Sequence, residues 1–169
     1  MNQQIIQFRK KYQNYGLYAK ATFGDLFTQD ELREAFHGEG FNLQSSVLLN
    51  EGQGKFTLKP LPRIAQQSPV FGIVPFDYNQ DGHMDMVLSG NFFPNEVHMG
   101  RQDASRGLLL LGDGQGNFKG APAAQSGLNL TGDARSSRLL RTPKGLLLLT
   151  AINSQGVKVH LLISTNVLK

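Results

Sequence analysis

The sequence predicts a mainly β protein of propeller-blade-like antiparallel sheets, a partial β-propeller, with a short helical segment at its N-terminus. From about residue 41 onward, short apolar runs are separated by glycine-rich turns, which is the pattern of antiparallel strands. The sequence of residues 48–56 is similar to that of residues 110–118, at an offset of 62 positions, so the β region contains an internal repeat. Four short strands in a repeat of this length are typical of propeller blades.

The N-terminal segment carries helical signals. Apolar side chains at three- and four-residue intervals predict an amphipathic helix over residues 2–13, followed by a short link. Thr28 and Glu31 have the spacing of a capping box, which predicts a second helix running to about residue 37. Two glycines then end that helix. We therefore assign residues 1–40 to a helical cap or linker.

The remaining residues, 41–169, are expected to form about one complete blade flanked by incomplete ones. The same offset carries residues 86–91 onto residues 148–153, so the repeat extends beyond a single hairpin. Residues 157–163 alternate and then become apolar, which predicts a last strand. No hairpin partner follows that strand, so the last blade is predicted to be one strand short.

Composition limits the classes of function. The 169 residues include 19 glycines and no cysteine, which excludes disulfides, zinc thiolate sites and cysteine nucleophiles. The formal charge is +4, but the lysines and arginines are scattered, so no nucleic-acid surface is expected. The sequence contains no run of about eighteen apolar residues, so no transmembrane helix is predicted. No signal peptide is visible at the N-terminus.

The strongest chemical motif is a nine-residue loop between two apolar runs that are predicted strands. Oxygen-bearing side chains recur at alternate positions of this loop. Ca²⁺ takes about six to eight hard oxygen ligands, and an alternating loop turns such side chains inward. We therefore predict one structural calcium site. Its ligands are the side chains of Asp77, Asn79, Asp81 and Asp85 and the backbone carbonyl of His83.

Two observations restrict this calcium prediction. An EF-hand requires a glutamate at the twelfth position, where this chain has Leu88, so the metal would lie in a strand-to-strand turn. Residues 139–147, the equivalent stretch in the second repeat, contain no carboxylate, so one site is predicted and not two. An Asx-rich turn without metal remains the alternative, because Asp, Asn and Gly are also ordinary turn residues.

These residues resemble a known family of repeats. Residues 71–72, the loop and strand at 77–88, and the turn at 114–118 resemble FG-GAP repeats, also called VCBS-type repeats, of integrin α-chain propellers and secreted bacterial proteins. The resemblance covers most of residues 45–160. The arrangement is similar to the C-terminal part of large multi-repeat bacterial envelope proteins of this family. It implies an extracellular or cell-envelope location, with a signal peptide upstream.

The resemblance implies a calcium-stabilised binding or scaffold module with Ca²⁺ as its cofactor and no catalytic residue. Its implied partners are the remaining blades of a parent protein and a protein or glycan ligand, with self-association through open sheet edges as a further expectation. An accessory part of a polysaccharide-acting enzyme is the alternative, in which His98, Arg101 and Asp103 supply acid, base and anion contacts. A basic nucleic-acid-binding domain is the less favoured alternative.

A possible ligand-binding surface follows the strand after the calcium loop. Phe92 and Phe93 lie in a proline-containing loop, with Arg101 a few residues later. Aromatic rings and an arginine at such a place suit a sugar or a protein partner. The favoured alternative is that both phenylalanines pack between blades as core, because aromatic side chains are more often buried than displayed.

Overall fold

The computed structural model describes residues 5–143 and 145–162. The chain divides into two compact units, Met1–Asn42 and Leu43–Lys169. The prediction of a mainly β protein with a few short helices is confirmed. Within the described residues, no helix is long and apolar enough to cross a membrane.

The first unit consists of short helices joined by tight links. Thr28 accepts a hydrogen bond from the backbone N–H of Glu31 (3.3 Å), and the Glu31 carboxylate accepts one from the N–H of Thr28 (2.8 Å), so the predicted capping box is confirmed. The hydrogen bonds that Thr28 donates to the Glu31 carboxylate lower the pKa of Glu31. The helices are α1 Ile6–Lys11, α2 Tyr15–Lys20, α3 Phe23–Leu26 and α4 Gln29–Arg33.

The helices differ from prediction in three respects. The first helix is shorter than the predicted residues 2–13, of which 2–4 lie outside the described residues. The last helix ends at Arg33 and not at about residue 37. The link expected after the first helix is itself helical, because the Asn14 side chain accepts a hydrogen bond from the N–H of Leu17 (2.8 Å) and caps α2.

The described part of the second unit contains nine strands in three antiparallel sheets. The strands are β1 Ser46–Gly52, β2 Lys55–Pro60, β3 Val70–Phe76, β4 Asp85–Gly90, β5 Leu108–Gly112, β6 Phe118–Gly120, β7 Ala134–Thr142, β8 Gly145–Ile152 and β9 Val157–Leu162. Strands β1–β2 form a two-stranded sheet, β3–β4–β5–β6 a four-stranded sheet and β7–β8–β9 a three-stranded sheet. Within the described residues these sheets do not close into a barrel or a propeller.

The 62-residue offset relates the strands as well as the sequence. It places β1 to β4 on β5 to β8 in order. The connection from β2 to β3 contains a 3-10 turn at Arg63–Gln66, and the equivalent connection from β6 to β7 contains the short helix α5, Ala123–Ser126. The first repeat thus consists of the β1–β2 hairpin of one sheet and the β3–β4 hairpin of the next sheet, and the second repeat consists of the β5–β6 and β7–β8 hairpins. Residues 163–169, which include the end of the predicted last strand, lie outside the described residues.

The core lies on both faces of the four-stranded sheet. Val87 and Leu109 are fully buried in a cluster with Leu148 of the three-stranded sheet. Leu88 and Leu110 point to the opposite face and form a second cluster. Strands buried on both faces have continuous apolar sequences and not alternating ones. This accounts for the unbroken apolar runs in β4 and β5.

A chain of buried hydroxyls joins the four-stranded and three-stranded sheets. The Oγ atoms of Ser89 and Ser137 are 2.8 Å apart, and Ser137 Oγ lies 2.9 Å from Thr150 Oγ1. All three residues are buried, so each hydroxyl relies on its neighbour for a hydrogen bond. Gly72 of β3 lies against this chain. A Cβ at that position would clash with Ser89 Oγ and approach the Ser137 backbone nitrogen to 3.1 Å.

We expect Gly72→Ala to lower the free energy of unfolding by about 1 to 3 kcal/mol, because the added methyl group overpacks this contact between sheets. The matched control is Gly156→Ala, since a Cβ there meets nothing within 4 Å. The control should change stability by less than about 0.5 kcal/mol. Urea denaturation of both variants measures the difference, and equal midpoints would show that Gly72 is not a packing constraint.

Candidate metal centre

The predicted metal ligands lie in the loop that connects β3 to β4. The loop leaves β3 after Phe76 and returns at Asp85, the first residue of β4, which pairs with Phe76. Gln80 and Gly82 have φ angles of 61° and 84°, so the chain turns twice through the left-handed region. This tight path brings backbone N–H groups of the loop within hydrogen-bond distance of its own polar side chains.

The outer part of the loop is held together by its own side chains. Asp77 accepts hydrogen bonds from the N–H groups of Asp81 (3.2 Å) and Gly82 (3.0 Å) through its two carboxylate oxygens. Asn79 Oδ1 accepts from the same Asp81 N–H (3.1 Å), and Asp81 Oδ1 accepts from the N–H of His83 (2.8 Å). These are Asx-turn bonds, which order the loop locally.

Asp85 has a different environment from the other predicted ligands. Its side chain is fully buried, and its two oxygens accept hydrogen bonds from the N–H groups of Tyr78 and Gly112 at 2.9 and 2.8 Å. A buried carboxylate needs such donors, because burial without them is costly. Asp85 therefore ties the start of the loop to the neighbouring strand β5. Each of its oxygens retains a second lone pair.

The chemistry of these side chains fits calcium, since the set consists of three carboxylates and one amide, all with hard oxygen donors. The arrangement is that of an Asx-rich turn, because the acceptors point to backbone N–H groups. Within residues 5–143 and 145–162, no three His, Cys, Asp or Glu side chains form a group that could hold a metal ion. Asp85 points into the sheet, whereas Asp77 and Asp81 are exposed.

Hydrogen bonding lowers the pKa of Asp81. The N–H of His83 and the side-chain amide of Asn79, which donates to Asp81 Oδ2 at 2.8 Å, hold the pKa of this carboxyl below its ordinary value of 3.8. An exposed carboxylate that remains charged at neutral pH is a suitable oxygen donor for a cation. The loop thus presents negative charge at its outer end.

A second polar turn, which sequence reasoning did not connect with the loop, packs against it. The His83 ring lies on Gly114, where a Cβ would overlap the ring. In this turn, Asp113 accepts a bond from the Asn117 side chain (2.6 Å) and one from the N–H of Gln115 (2.8 Å), which lowers the pKa of Asp113. The contact follows from the pairing of β4 with β5 and has no signal in the local sequence.

The predicted ligand-binding residues form two contacts and not one patch. The Arg101 guanidinium lies 4.7 Å from the centroid of the Phe93 ring. Phe92 packs instead near Phe71, with ring centroids 6.3 Å apart, and 5.4 Å from the guanidinium of Arg135. Both Phe92 and Phe93 are half-buried. Sequence reasoning missed Arg135, because β7 reaches this surface only through the stacking of two sheets.

The loop that carries Phe93 and Arg101 is anchored by a buried asparagine. Asn91 Oδ1 accepts bonds from the Ser105 N–H (2.9 Å) and the Ser68 hydroxyl (2.8 Å). Its Nδ2 donates to the carbonyls of Ser105 (2.8 Å) and Gly132 (2.9 Å). The amide is therefore fully satisfied, and it joins both ends of the loop to the connection that precedes β7.

The residues proposed for an enzymatic alternative lie on one loop. His98, Arg101 and Asp103 are all exposed there. Across the described part of the chain, none of the three forms an ion pair with either of the others.

No known family model, curated protein or solved structure matches this chain. The resemblance to FG-GAP repeats therefore stays a prediction from the residues themselves.

We expect Asn79→Ala to raise the pKa of Asp81 partway towards 3.8, because one of its hydrogen-bond donors is removed while the His83 N–H remains. Since the folded pKa is lowered, the stabilising contribution of Asp81 is present above pH 3.8 and is lost as the pH falls through the folded pKa. NMR titration of the carboxyl carbons measures this shift.

Asn117→Ala is the matched control for that titration. It should raise the pKa of Asp113 and leave that of Asp81 unchanged, because the two turns have separate donors. An Asp81 pKa that is equal in wild type and Asn79→Ala would contradict the assignment of Asn79 as a donor.

Proposed function

We propose that this chain is a calcium-stabilised extracellular binding and scaffold module built from repeated β sheets. The observation that carries the proposal is the position of the acidic loop. It closes the hairpin of β3 and β4 in the only sheet of the described residues that has a core on both faces. A cation bound there would act on the two strands that pack against the three-stranded sheet.

Asp77, Asn79, Asp81 and Asp85 would hold the ion through their side chains, and His83 through its carbonyl. Calcium would neutralise three carboxylates that share one turn. Asp85 contributes a fixed anchor, since its oxygens are already oriented by the N–H groups of Tyr78 and Gly112. Asp77 and Asp81 form the exposed end of the loop, through which an ion would enter.

The second repeat supports a structural role confined to one hairpin. There the equivalent turn connects β7 to β8, and Thr142 Oγ1 donates to the carbonyl of Gly145 (2.8 Å). This turn has no carboxylate, yet the hairpin forms with the same strand order. The fold of a repeat therefore does not require acidic residues. Calcium binding would be a further role for the acidic residues of the first repeat, beyond the hydrogen bonds that they accept from backbone N–H groups.

The repeated sheets also support a scaffold. In this proposal, the two-, four- and three-stranded sheets are blades of a partial β-propeller, with one complete blade between two incomplete ones. Sites of this kind in extracellular modules bind Ca²⁺ with dissociation constants of roughly 0.1 to 1 mM, since the surrounding medium supplies the ion. The absence of cysteine in the chain means that no disulfide shares this stabilising role.

The ligand of the module would bind at the loop that carries Phe93 and Arg101. The guanidinium stacked on the ring offers a flat apolar face together with hydrogen-bond donors, which suits a sugar or a protein side chain. The Asn91 anchor holds both ends of this loop in place.

We expect calcium to bind the wild type with a measurable heat and to raise its stability by about 2.7 kcal/mol at 100-fold excess over the dissociation constant. Asp81→Ala should abolish the heat or weaken binding at least tenfold, because it removes one of three carboxylates. Isothermal titration calorimetry and thermal unfolding with and without CaCl₂ measure both effects.

Asp103→Ala is the control for this calcium experiment, since it removes one exposed carboxylate outside the loop. It should bind calcium as the wild type does. Equal heats in wild type and Asp81→Ala, or no heat in either, would eliminate the calcium site and leave the Asx-rich turn as the correct interpretation.

For the ligand-binding surface, we expect a glycan array to give signals with the wild type that Phe93→Ala loses, because the stacked guanidinium also loses its support. Phe36→Ala is the control, as Phe36 is an exposed aromatic residue of the first unit. Identical signals from wild type and Phe93→Ala would exclude this loop as the glycan site. If the wild type gives no signal on the array, glycans are excluded as the ligand and a protein ligand is left.

A further inference from the structure

Two apolar sheet faces are exposed among the described residues of the second unit. The outer face of the two-stranded sheet, here named the first face, bears Leu48, Phe56 and Leu58, which are 60%, 53% and 51% exposed. The outer face of the three-stranded sheet, named the last face, is larger. It bears Leu140, Leu147, Leu149, Val157, Val159 and Leu161.

The last face is a continuous surface of paired residues. Leu149 lies opposite Val159, and Leu147 lies opposite Leu161 on one side and Leu140 on the other. Residues opposite each other in antiparallel strands project from the same side of the sheet. Val159 is 56% exposed, although an apolar side chain at this position gains from being covered.

The internal repeat shows what covers the first face elsewhere in the chain. The 62-residue offset carries Leu48 onto Leu110 and Phe56 onto Phe118 of the four-stranded sheet. Leu110 is fully buried in a cluster with Ala65, and Phe118 packs against that cluster. The first face is therefore the exposed copy of a face that the four-stranded sheet buries.

The same offset identifies the counterpart of the last face. Leu149 corresponds to Val87, and Ala151 on the same side of β8 corresponds to Ser89. Val87 and Ser89 are buried where the three-stranded sheet packs on the four-stranded sheet. Val87 packs in a cluster with Leu148, and the Ser89 hydroxyl forms a hydrogen bond with the Ser137 hydroxyl. The last face is thus the exposed copy of the opposite side of the four-stranded sheet.

The two faces are the complementary halves of one type of interface. Leu148, which packs with Val87, corresponds to Met86, and Met86 lies in the same cluster as Leu110. The side of a sheet that bears Leu48 is therefore the side that packs on the side bearing Leu149. The described residues form this contact once, between the four-stranded and three-stranded sheets, and they leave one half of it exposed on the two-stranded sheet and the other half on the three-stranded sheet.

We propose that the last face of one copy of this chain binds the first face of a second copy, so that the chain associates head to tail. The contact joins two different surfaces, and it is therefore heterologous. The strand positions of the first face carry no charged residue. On the last face the one charged strand position is Arg138, whose guanidinium donates to the Ser137 carbonyl (2.8 Å). Arg138 is exposed, and the first face has no positive charge at its strand positions that would repel it.

This inference goes beyond calcium binding, because none of its residues is a proposed metal ligand. Sedimentation velocity and light scattering over a concentration series test it, in buffers with CaCl₂ and with EDTA. The wild type is expected to exceed the 18.6 kDa monomer mass at least twofold as concentration rises. Leu58→Lys on the first face and Val159→Lys on the last face should each remain monomeric. Met99→Lys, at an exposed loop residue outside both faces, should assemble as the wild type does.

Mixing the two interface variants tests the direction of the contact. Leu58→Lys retains its last face and Val159→Lys retains its first face, so an equimolar mixture should form a complex of about twice the monomer mass that does not grow further. Leu48→Lys and Leu161→Lys serve as a second pair, and circular dichroism checks that each variant is folded.

A monomeric wild type over the whole concentration range would overturn the inference and leave a different protein as the occupant of these faces. A dimer of Val159→Lys alone, or of Leu58→Lys alone, would replace the head-to-tail contact by a symmetric one. A mixture that stays monomeric would also contradict it. None of these outcomes affects the calcium titration, whose ligands are unchanged in all four variants.

Discussion

Burial of the four-stranded sheet on both faces is the constraint on which the rest of the second unit depends. Val87 and Leu109 fill one interior and Leu88 and Leu110 the other, so strands β4 and β5 leave no position free for a polar side chain in their centres. The three-stranded sheet packs on the four-stranded sheet through the first interior, the hydroxyl chain at Ser137 and the contact of Arg135 with Phe71. Both candidate sites lie in loops at the strand ends.

Those loops are ordered by buried or bonded polar side chains and not by apolar packing. Asp85 links the acidic loop between β3 and β4 to β5. Asn91 links the loop that carries Phe93 and Arg101 to the connection before β7. Each uses a side chain at or near an end of β4, so one strand positions both candidate sites. A stabilising event in the acidic loop would therefore act directly on the strand that also supports the proposed ligand-binding loop.

Local sequence predicted what depends on near neighbours. The capping box at Thr28 was predicted and is present, because its partners are three residues apart. The repeat was visible because equivalent strands keep their apolar pattern. The contact of His83 with Gly114, and of Arg135 with Phe71 (4.4 Å), could not be predicted, since each joins segments from different strands. The cap of α2 at Asn14 had a local signal that was overlooked.

The sequence by itself determined the β class, the repeat offset and the set of oxygen donors in the acidic loop, because periodicity and side-chain chemistry are properties of the chain. Tertiary structure alone decided which donors are exposed and which, like Asp85, are buried against backbone N–H groups. It also decided which apolar faces are covered. Leu110 and Leu48 have equivalent positions in the repeat, and only the presence of a neighbouring segment distinguishes a core residue from an exposed one.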